Sequence, residues 1–223
     1  SSVPQRNDVV FYDELCHASI RDGIQMGHAK AYKFSHNDVE ELESSIEKFT
    51  SSSHPPTIYI VTESVFSMDG DTPNLEELVL LSEKYNCYLI IDEAHAIGVY
   101  GENGAGLVQL MGLQDRIFAR IVTFGKALGC HGAAILGSLE LKQYLINFSS
   151  CFIYTTGLSP HSVATILFAY HQLQAEKNAM EKLKQNIQIF NQQKMQLGLK
   201  PMFVYSKSAI QCAIIPGNDN VKS

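Results

Sequence analysis

Short runs of strand-forming residues alternate with segments of helical periodicity along most of this chain of 223 residues. Residues 57–61, 88–91, 117–124 and 133–136 are rich in β-branched and aliphatic side chains, which is typical of buried strands. Strands that alternate with helices build a largely parallel sheet. The sequence therefore predicts an α/β fold in which a mostly parallel sheet is flanked by helices.

The starts of two helices are indicated by the spacing of a capping box. Asn37 is followed three positions later by Glu40, and Asn74 by Glu77. In each pair the amide is expected to cap the first turn, while the carboxylate reaches back to the backbone of the capping residue. We therefore predict that helices begin at these two positions.

The second half of the chain predicts a change of domain. Ser159 before Pro160 indicates the cap and the first turn of a long helical region. The polar segment 174–178 interrupts the apolar pattern of that region. We expect a large domain over residues 1–178 and the beginning of a small C-terminal α/β domain over residues 179–223.

The charge of the chain narrows the classes of partner. Seventeen Lys and Arg against 23 Asp and Glu give a formal net charge of −6, so the sequence lacks the basic surface of proteins that bind nucleic acids or anionic membranes. No apolar run approaches the roughly 20 residues that span a bilayer, and the N-terminus has no signal pattern. Five scattered cysteines indicate free thiols. We expect a cytoplasmic protein with no nucleic-acid or membrane partner.

Two ionisable residues follow two of the predicted strands. Asp92 closes the strand at 88–91, and Lys126 lies in a glycine-rich turn after the strand at 117–124. The carboxyl ends of neighbouring parallel strands open into one crevice, which both side chains are expected to face. Partial burial would make the amine of Lys126 a usable nucleophile, and a buried Asp92 would need a cationic partner. A surface lysine and a turn-capping aspartate are the alternatives, and the local pattern leaves them open.

The run from Asp92 to His95 reads Asp-Glu-Ala-His, which also occurs in helicase-like NTPases, where the acidic pair handles magnesium. That function requires a Gly-x-x-x-x-Gly-Lys-Ser/Thr loop upstream, and none precedes Asp92. The Gly-Lys pair of this chain, at Gly125 and Lys126, comes later and is followed by alanine. An NTPase would therefore need a loop that lies outside the sequence.

Histidines and small hydroxyl residues supply further candidates. Three histidines lack close ligand spacing with cysteine or carboxylate, so no metal site is predicted, and each alone is more typical of a structural histidine: His17, His95 and His131. Four hydroxyl residues could bind a phosphate group: Ser67, Thr123, Thr155 and Thr156.

Six ordered segments carry a combined pattern. They are His17-Ala18-Ser19 with Asp22-Gly23; Phe34-Ser35-His36-Asn37-Asp38; the run from Thr62 to Asp71; the run from Asp92 to Gly98 with Gly101 and Gly104; the run from Thr123 to Gly129; and Tyr154-Thr155-Thr156. This pattern resembles the α-oxoamine synthases, a family of pyridoxal 5′-phosphate (PLP) enzymes. The resemblance runs along nearly the whole chain and implies the large domain of the PLP-dependent transferase fold.

The resemblance implies a role for each ionisable candidate. Lys126 would hold PLP as a Schiff base and later remove the α-proton of the substrate, and Asp92 would pair with the pyridinium nitrogen. His17 would stack on the cofactor ring, and His95 would bond its phenolic oxygen. Lys126, Asp92 and His17 are thus the catalytic candidates.

The hydroxyl residues would complete the binding of the cofactor. By the same resemblance Ser67 and Thr123 would contact PLP, with Thr123 near its phosphate. The family works as homodimers with shared sites, so Thr155 or Thr156 would reach the phosphate of the neighbouring subunit.

The resemblance also implies the reaction, a decarboxylative condensation of an amino acid with an acyl-CoA or acyl-carrier-protein thioester. The sequence of residues 67–71 is most similar to that of the family members that join L-alanine to a pimeloyl thioester in biotin biosynthesis. The members that join glycine to acetyl-CoA are the nearest alternative. A non-catalytic partner protein that keeps the fold is an alternative of another class. Such a protein would have no reason to retain His17, Asp92, His95 and Lys126 together.

Two departures from the family pattern bear on completeness. Cys16 stands where family members have an asparagine before the stacking histidine. The upstream glycine-rich segment and the C-terminal arginine that binds the substrate carboxylate are absent. Strand-like segments at 9–12 and 209–215, the latter running into Pro216 and Gly217, leave both ends looking cut. We therefore expect a fragment that lacks a complete active site on its own.

Overall fold

Six strands form one sheet in the computed structural model, which describes residues 1–215. The strands lie in the order β2-β1-β3-β4-β5-β6, and all neighbouring pairs are parallel except β5 with β6, which is antiparallel. Their bounds are β1 Val9–Asp13, β2 Lys30–Phe34, β3 Ile58–Glu63, β4 Tyr88–Asp92, β5 Ala119–Thr123 and β6 Ala133–Gly137. The predicted α/β fold with a mostly parallel sheet is confirmed.

Helices cover both faces of the sheet. The described residues form α1 Ala18–Gln25, α2 Val39–Thr50, α3 Leu75–Lys84, α4 Leu107–Leu110, α5 Leu139–Phe148, α6 Ser150–Ile153, α7 Pro160–Ala175 and α8 Asn178–Gln196. Within the described part of the chain, none of these helices is both long enough and apolar enough to cross a membrane.

Successive residues of β1 point to opposite faces of the sheet, and both faces are buried. Val9 and Phe11 pack with side chains of α2 and α3 on one face, whereas Val10 packs with Tyr59, Val61 and residues of α1 on the other. Because neither face of the strand meets water, β1 is a continuous apolar run rather than an alternating one.

Of the two predicted capping boxes, one is right and one is displaced. Asn74 caps α3 and accepts the N–H of Glu77 at 3.3 Å. The cap of α2 is Asp38, whose Oδ1 accepts the N–H of Glu41 at 2.8 Å. The cap predicted at Asn37 was therefore wrong by one residue, because Asn37 adopts a left-handed conformation (φ 57°) that turns the chain before the helix begins.

The strand predicted at 209–215 was wrong. The structure shows no strand there, and Ala213 makes only an isolated bridge. Serine hydroxyls just before the segment hold the chain instead: Oγ of Ser206 donates to the carbonyl oxygen of Gly70 at 2.7 Å, and Oγ of Ser208 accepts the N–H of Ile210 at 3.0 Å. The turn predicted after Ile215 lies outside the described residues.

Two other differences concern the edge strand and the long helical region. The sequence did not predict β2, because its side chains are mostly exposed and two of them are lysines, so it lacks the apolar pattern of a buried strand. The cap at Ser159 is confirmed, since its side chain accepts the N–H of Ser162. The helical region that follows is broken at Glu176 and Lys177 into α7 and α8. The division into domains at residue 178 stays a prediction.

Candidate functional site

A cavity of roughly 430 Å³ opens at the carboxyl ends of the parallel strands. The last residues of β3, β4 and β5 all line it: Glu63, Asp92 and Thr123. His17, which follows β1, and Lys126, which follows β5, line it as well. This edge of an open α/β sheet is where ligands bind, because loops from several strands converge there.

Lys126 lies in the short connection between β5 and β6. Backbone hydrogen bonds close this connection: the N–H of Phe124 donates to the carbonyl oxygen of Gly132 at 2.9 Å, and that of Cys130 donates to the carbonyl oxygen of Phe124 at 2.7 Å. Burial lowers the pKa of the Lys126 amine, against the opposing effect of the carboxylates of Asp92 and Glu63. The amine is therefore closer to its nucleophilic, uncharged form than a surface lysine would be.

Asp92 faces the same cavity from the end of β4, and its side chain is largely buried. Oδ1 accepts the N–H of Ala94 at 2.8 Å, so the turn-capping function that the sequence left open is real. Ala94 is the sole hydrogen-bond donor to this carboxylate among the described residues. Burial raises the pKa of Asp92, although the bond from Ala94 and the charge of Lys126 oppose the shift. The carboxylate thus caps a turn and still presents an acceptor to the cavity.

His17 caps the N-terminus of α1 and exposes its ring to the cavity. Its Nδ1 accepts the N–H of Ser19 at 3.2 Å, which fixes the ring relative to the helix. Its own backbone N–H donates to Oε1 of Glu63 at 2.6 Å. The ring is therefore held at one end by α1, while the backbone is held by the end of β3.

His95 meets Lys126 directly. Nε2 of His95 lies 2.6 Å from Nζ of Lys126, within hydrogen-bonding distance. Burial and then the nearby positive charge of Lys126 lower the pKa of His95 to about 4, so the imidazole is neutral near pH 7. Both residues also line a smaller cavity of roughly 100 Å³, together with Ser208 and Ile210. The segment that follows α8 therefore reaches the vicinity of the lysine.

Of the hydroxyl candidates, the structure brings only Thr123 to the cavity. Its Oγ1 is buried and has no hydrogen-bond partner among the described residues, so it is available to a ligand. Ser67 lies half-buried in the turn after β3 and is not among the lining residues. Thr155 and Thr156 are exposed in the connection between α6 and α7, also away from the cavity. Their roles stay predictions.

Glu63 lines the cavity as well, although the sequence pattern predicted no role for it. It is 2% exposed and pairs in register with Asp92 on the neighbouring strand. Burial raises the pKa of Glu63 to about 7, with Asp92 adding to the shift and the N–H of His17 opposing it. The signal was present in the sequence, because Glu63 also ends a buried strand, as Asp92 does.

The acidic neighbour of Asp92 is engaged elsewhere. Glu93 forms a buried ion pair with Arg120, whose Nε donates to Oε2 at 2.6 Å, and Oε1 accepts the N–H of Val108 at 2.9 Å. A carboxylate neutralised in this way cannot hold magnesium with Asp92. The contact disfavours the NTPase alternative.

A second cluster of ionisable side chains, centred on His36, lies near the ends of β1 and β2. Nδ1 of His36 lies 2.9 Å from Oδ1 of Asp13, and its Nε2 lies 2.8 Å from Oδ2 of Asp71. Burial alone would lower the pKa of His36, but the bonds to these two carboxylates raise it to about 10. Asp69 also approaches, at a spacing that could hold a metal ion. Because both ring nitrogens of His36 lie within hydrogen-bonding distance of a carboxylate, His36, Asp13 and Asp71 form an ionic clamp.

Comparison with solved structures identifies the fold. A serine palmitoyltransferase from S. paucimobilis with a bound PLP-myriocin aldimine matches at a TM-score of 0.87 and 28% identity, covering 98% of this chain and 56% of that one. The 8-amino-7-oxononanoate synthase of Francisella tularensis matches at a TM-score of 0.82 and 29% identity, covering 98% of this chain and 62% of that one. Both neighbours are α-oxoamine synthases. The architecture is that of the PLP-dependent transferases, as predicted.

Sequence comparison identifies the family. Residues 4–213 match the aminotransferase class I and II family, and the chain belongs to that family. A protein from Halalkalibacterium halodurans with the provisional name 8-amino-7-oxononanoate synthase is 44% identical over 184 residues, which cover 82% of this chain and 46% of that protein. One with the same provisional name from Bacillus cereus is 39% identical over 221 residues, covering 99% and 55%. The chain spans about half the length of these curated relatives.

Proposed function

We propose that this protein is a PLP-dependent acyltransferase that condenses L-alanine with pimeloyl-CoA, or the corresponding acyl-carrier-protein thioester, to 8-amino-7-oxononanoate. Support for the class comes from the family to which the chain belongs and from the PLP-myriocin aldimine bound by one structural neighbour. Support for the substrates comes from relatives 39–44% identical that carry the provisional name of this synthase.

One observation carries the proposal: the amine of Lys126 and the carboxylate of Asp92 line one cavity at the carboxyl ends of adjacent strands. The donor set fits PLP. An amine of lowered pKa suits covalent attachment of an aldehyde, and a buried carboxylate suits a cationic ring nitrogen. The exposed imidazole of His17 suits the ring face, and the unpartnered hydroxyl of Thr123 suits a phosphate.

Each side chain would then have a defined task. PLP, when bound, supplies an electron sink that stabilises negative charge on the α-carbon of an amino acid. The carboxylate of Asp92 would keep a proton on the ring nitrogen, and the ring of His17 would cover one face of the site. The amine of Lys126 would hold the cofactor and, once displaced by the substrate amine, would remove the α-proton. Neutral His95, which lies within hydrogen-bonding distance of Nζ, would form a hydrogen bond with that amine or with the phenolic oxygen of the cofactor.

The remaining parts of the proposal rest on the family resemblance. The protein would act as a homodimer, in which Thr155 or Thr156 reaches the phosphate site of the neighbouring subunit, and Ser67 would contact the cofactor of its own subunit. It would work in the cytoplasm. Glycine with acetyl-CoA is the alternative substrate pair. The structural similarity to serine palmitoyltransferase makes other α-oxoamine synthase activities further alternatives.

The first experiment tests the lysine. The protein in its complete natural form is mixed with PLP and compared with Lys126→Ala. We expect an absorbance band near roughly 420 nm that the substitution abolishes, and borohydride reduction that leaves cofactor on the Lys126 peptide. Lys142→Ala, a change on α5, is the matched control and should keep the band. A missing band, or label on another lysine, would contradict the proposed role of Lys126 and favour the non-catalytic alternative.

The second experiment tests the substrates. Release of free CoA is measured with L-alanine and pimeloyl-CoA, and in parallel with glycine and acetyl-CoA. Turnover with the first pair alone supports the proposed activity. Turnover with the second pair alone would identify an acetyltransferase, and turnover with neither, in a protein that carries PLP on Lys126, would rule out both substrate pairs.

A further inference from the structure

The carboxylate of Glu63 lies between two elements that the proposed function uses. It ends β3, and its partner in register on β4 is Asp92. Its Oε1 accepts the backbone N–H of His17 at 2.6 Å, across 46 residues of sequence. This is the one hydrogen bond that the Glu63 side chain makes within the described residues. A short hydrogen bond between residues so far apart in the sequence fixes the position at which the chain leaves β1 and enters α1.

The two anchors of His17 have separate effects. The bond from the Ser19 N–H to Nδ1 sets the rotation of the imidazole relative to α1. It does not fix the position of α1 above the sheet, because both groups belong to the same turn of helix. The bond to Glu63 ties the backbone at the start of α1 to β3, a central strand of the sheet, in addition to the packing of α1 on the sheet.

We propose that Glu63 is a positioning residue of the cofactor site, which sets the height of the His17 ring above the floor of the cavity by holding its backbone N–H. The proposal rests on the proposed function, because it assigns the ring of His17 to the face of bound PLP. It extends the site to a residue that acts through the backbone N–H of His17.

The charges around Glu63 are consistent with this role. Asp92 from β4, Asp13 at the end of β1 and Lys126 from the β5–β6 connection all face it, and the buried thiol of Cys16 lies beside it. Burial and the two aspartates raise the pKa of Glu63 to about 7, against the effect of Lys126. The side chain therefore changes protonation near neutral pH, but a carboxyl group accepts a hydrogen bond in either form. The contact to His17 survives the change.

Two substitutions separate the contact from the charge. Glu63→Gln keeps an oxygen acceptor at the same distance and removes the charge. Glu63→Asp keeps the charge but shortens the side chain by one methylene, so the oxygen retreats from the N–H of His17. We expect Glu63→Gln to retain the PLP affinity of the wild type within about 3-fold, and Glu63→Asp to lose roughly 10-fold, because only Glu63→Asp loses the buried hydrogen bond to the His17 N–H.

Three measurements on the complete protein report the effect. The dissociation constant of PLP comes from titration of the cofactor-free protein, and visible circular dichroism of the bound cofactor reports the tilt of its ring. Hydrogen exchange at the His17 amide of cofactor-free protein reports the contact without any ligand. We expect Glu63→Asp to weaken the dichroism and speed the exchange, and Glu63→Gln to change neither. Glu40→Asp, an exposed change on α2, is the matched control and should match the wild type.

A double-substitution cycle with His17→Ala tests whether Glu63 acts through His17. We expect Glu63→Asp to cause no further loss of PLP affinity in the His17→Ala background, because the ring that it positions is gone. An equal, additive loss would overturn the proposal. So would wild-type affinity and dichroism in Glu63→Asp, or a loss confined to Glu63→Gln, which would assign the effect to charge. A wild-type protein that shows no cofactor band would instead refute the proposed function itself.

Discussion

Nζ of Lys126 and Nε2 of His95 lie 2.6 Å apart, and the charge of Lys126 helps to lower the pKa of His95. The contact joins the β5–β6 connection to the turn that follows Asp92. Two like charges cannot share so short a distance in a partly buried site without a large cost. The pair therefore carries at most one proton charge near neutral pH.

The titration of His95 should report this pairing. Burial, followed by the charge of Lys126, holds the pKa of His95 at about 4 in the cofactor-free protein. Lys126→Met removes that charge but keeps an apolar side chain of similar length, so we expect the pKa of His95 to rise towards its ordinary value of 6.5 and remain below it. Titration of the imidazole carbon signals by NMR measures the change, and Lys48→Met on α2 should leave it unaltered. An unchanged His95 titration in Lys126→Met would show that burial alone sets its pKa.

Gly70→Ala should detach the segment after α8. Gly70 has φ 70°, and a Cβ there would lie 2.3 Å from the carbonyl oxygen of Ile210. Gly112→Ala is the matched control, because Gly112 has φ 67° but nothing within 4 Å of the added carbon. The left-handed backbone costs each variant about 1–2 kcal/mol, and the clash adds about 1–3 kcal/mol at Gly70 only. Urea unfolding measures the difference, and equal losses would contradict it.

The ionic clamp formed by Asp13, His36 and Asp71 should make the folded protein less stable as the pH rises into the alkaline range. The folded protein binds the His36 proton more tightly than the unfolded chain, with a pKa of about 10 against 6.5. The stabilisation is therefore complete below pH 6.5 and is lost as the pH rises towards 10. We expect His36→Gln to lower the free energy of unfolding by about 3 kcal/mol at pH 6 and by much less at pH 10. Denaturant unfolding at the two pH values, with His54→Gln as an exposed control, measures this. A loss that is the same at both values would mean that the histidine is neutral in the fold.

The buried pair of Arg120 and Glu93 should be worth far more than an exposed pair of similar geometry. Arg120→Met leaves the Glu93 carboxylate unpaired in the core, which costs about 3–5 kcal/mol. Arg116 makes two hydrogen bonds to Glu83 at 2.7 and 2.6 Å, but both side chains are more than a third exposed, so Arg116→Met should have a much smaller effect. Thermal or urea unfolding of the two variants is the measurement. Similar losses would show that water reaches Glu93.

The sequence predicted the parts of the fold that depend on local patterns. Buried strands such as β3 and β4 are continuous apolar runs, so their positions and the juxtaposition of Asp92 with Lys126 followed from the sheet rule. The edge strand β2 could not be predicted in this way, because its pairing with β1 rather than its own side chains makes it a strand. The false strand at 209–215 has the opposite cause: its apolar pattern is that of a strand, but it pairs with no strand of the sheet that the structure describes, and the N–H of Ile210 is bonded by Oγ of Ser208 instead.

The candidate site was predicted where single side chains carry the chemistry. Lys126, Asp92 and His17 were named because each ends a strand or lies in a recognisable segment, and all three line one cavity, with His95 in contact with Lys126. Their roles stay predictions. The end of a buried strand also marked Glu63 as a lining residue, but its contact to His17 is made through a backbone N–H, and no sequence pattern encodes which N–H a carboxylate will meet.

The antiparallel direction of β6 has a consequence for the rate at which the amine of Lys126 can move. Parallel strands need a crossover of about a dozen residues or more, but only residues 124–132 separate Thr123 from Ala133, and backbone hydrogen bonds tie them together. The amine therefore sits at the tip of a tight hairpin and moves by rotation about its own side-chain bonds. Such rotations take picoseconds to nanoseconds. Exchange of Nζ between His95 and a molecule in the cavity should thus be far faster than any loop motion.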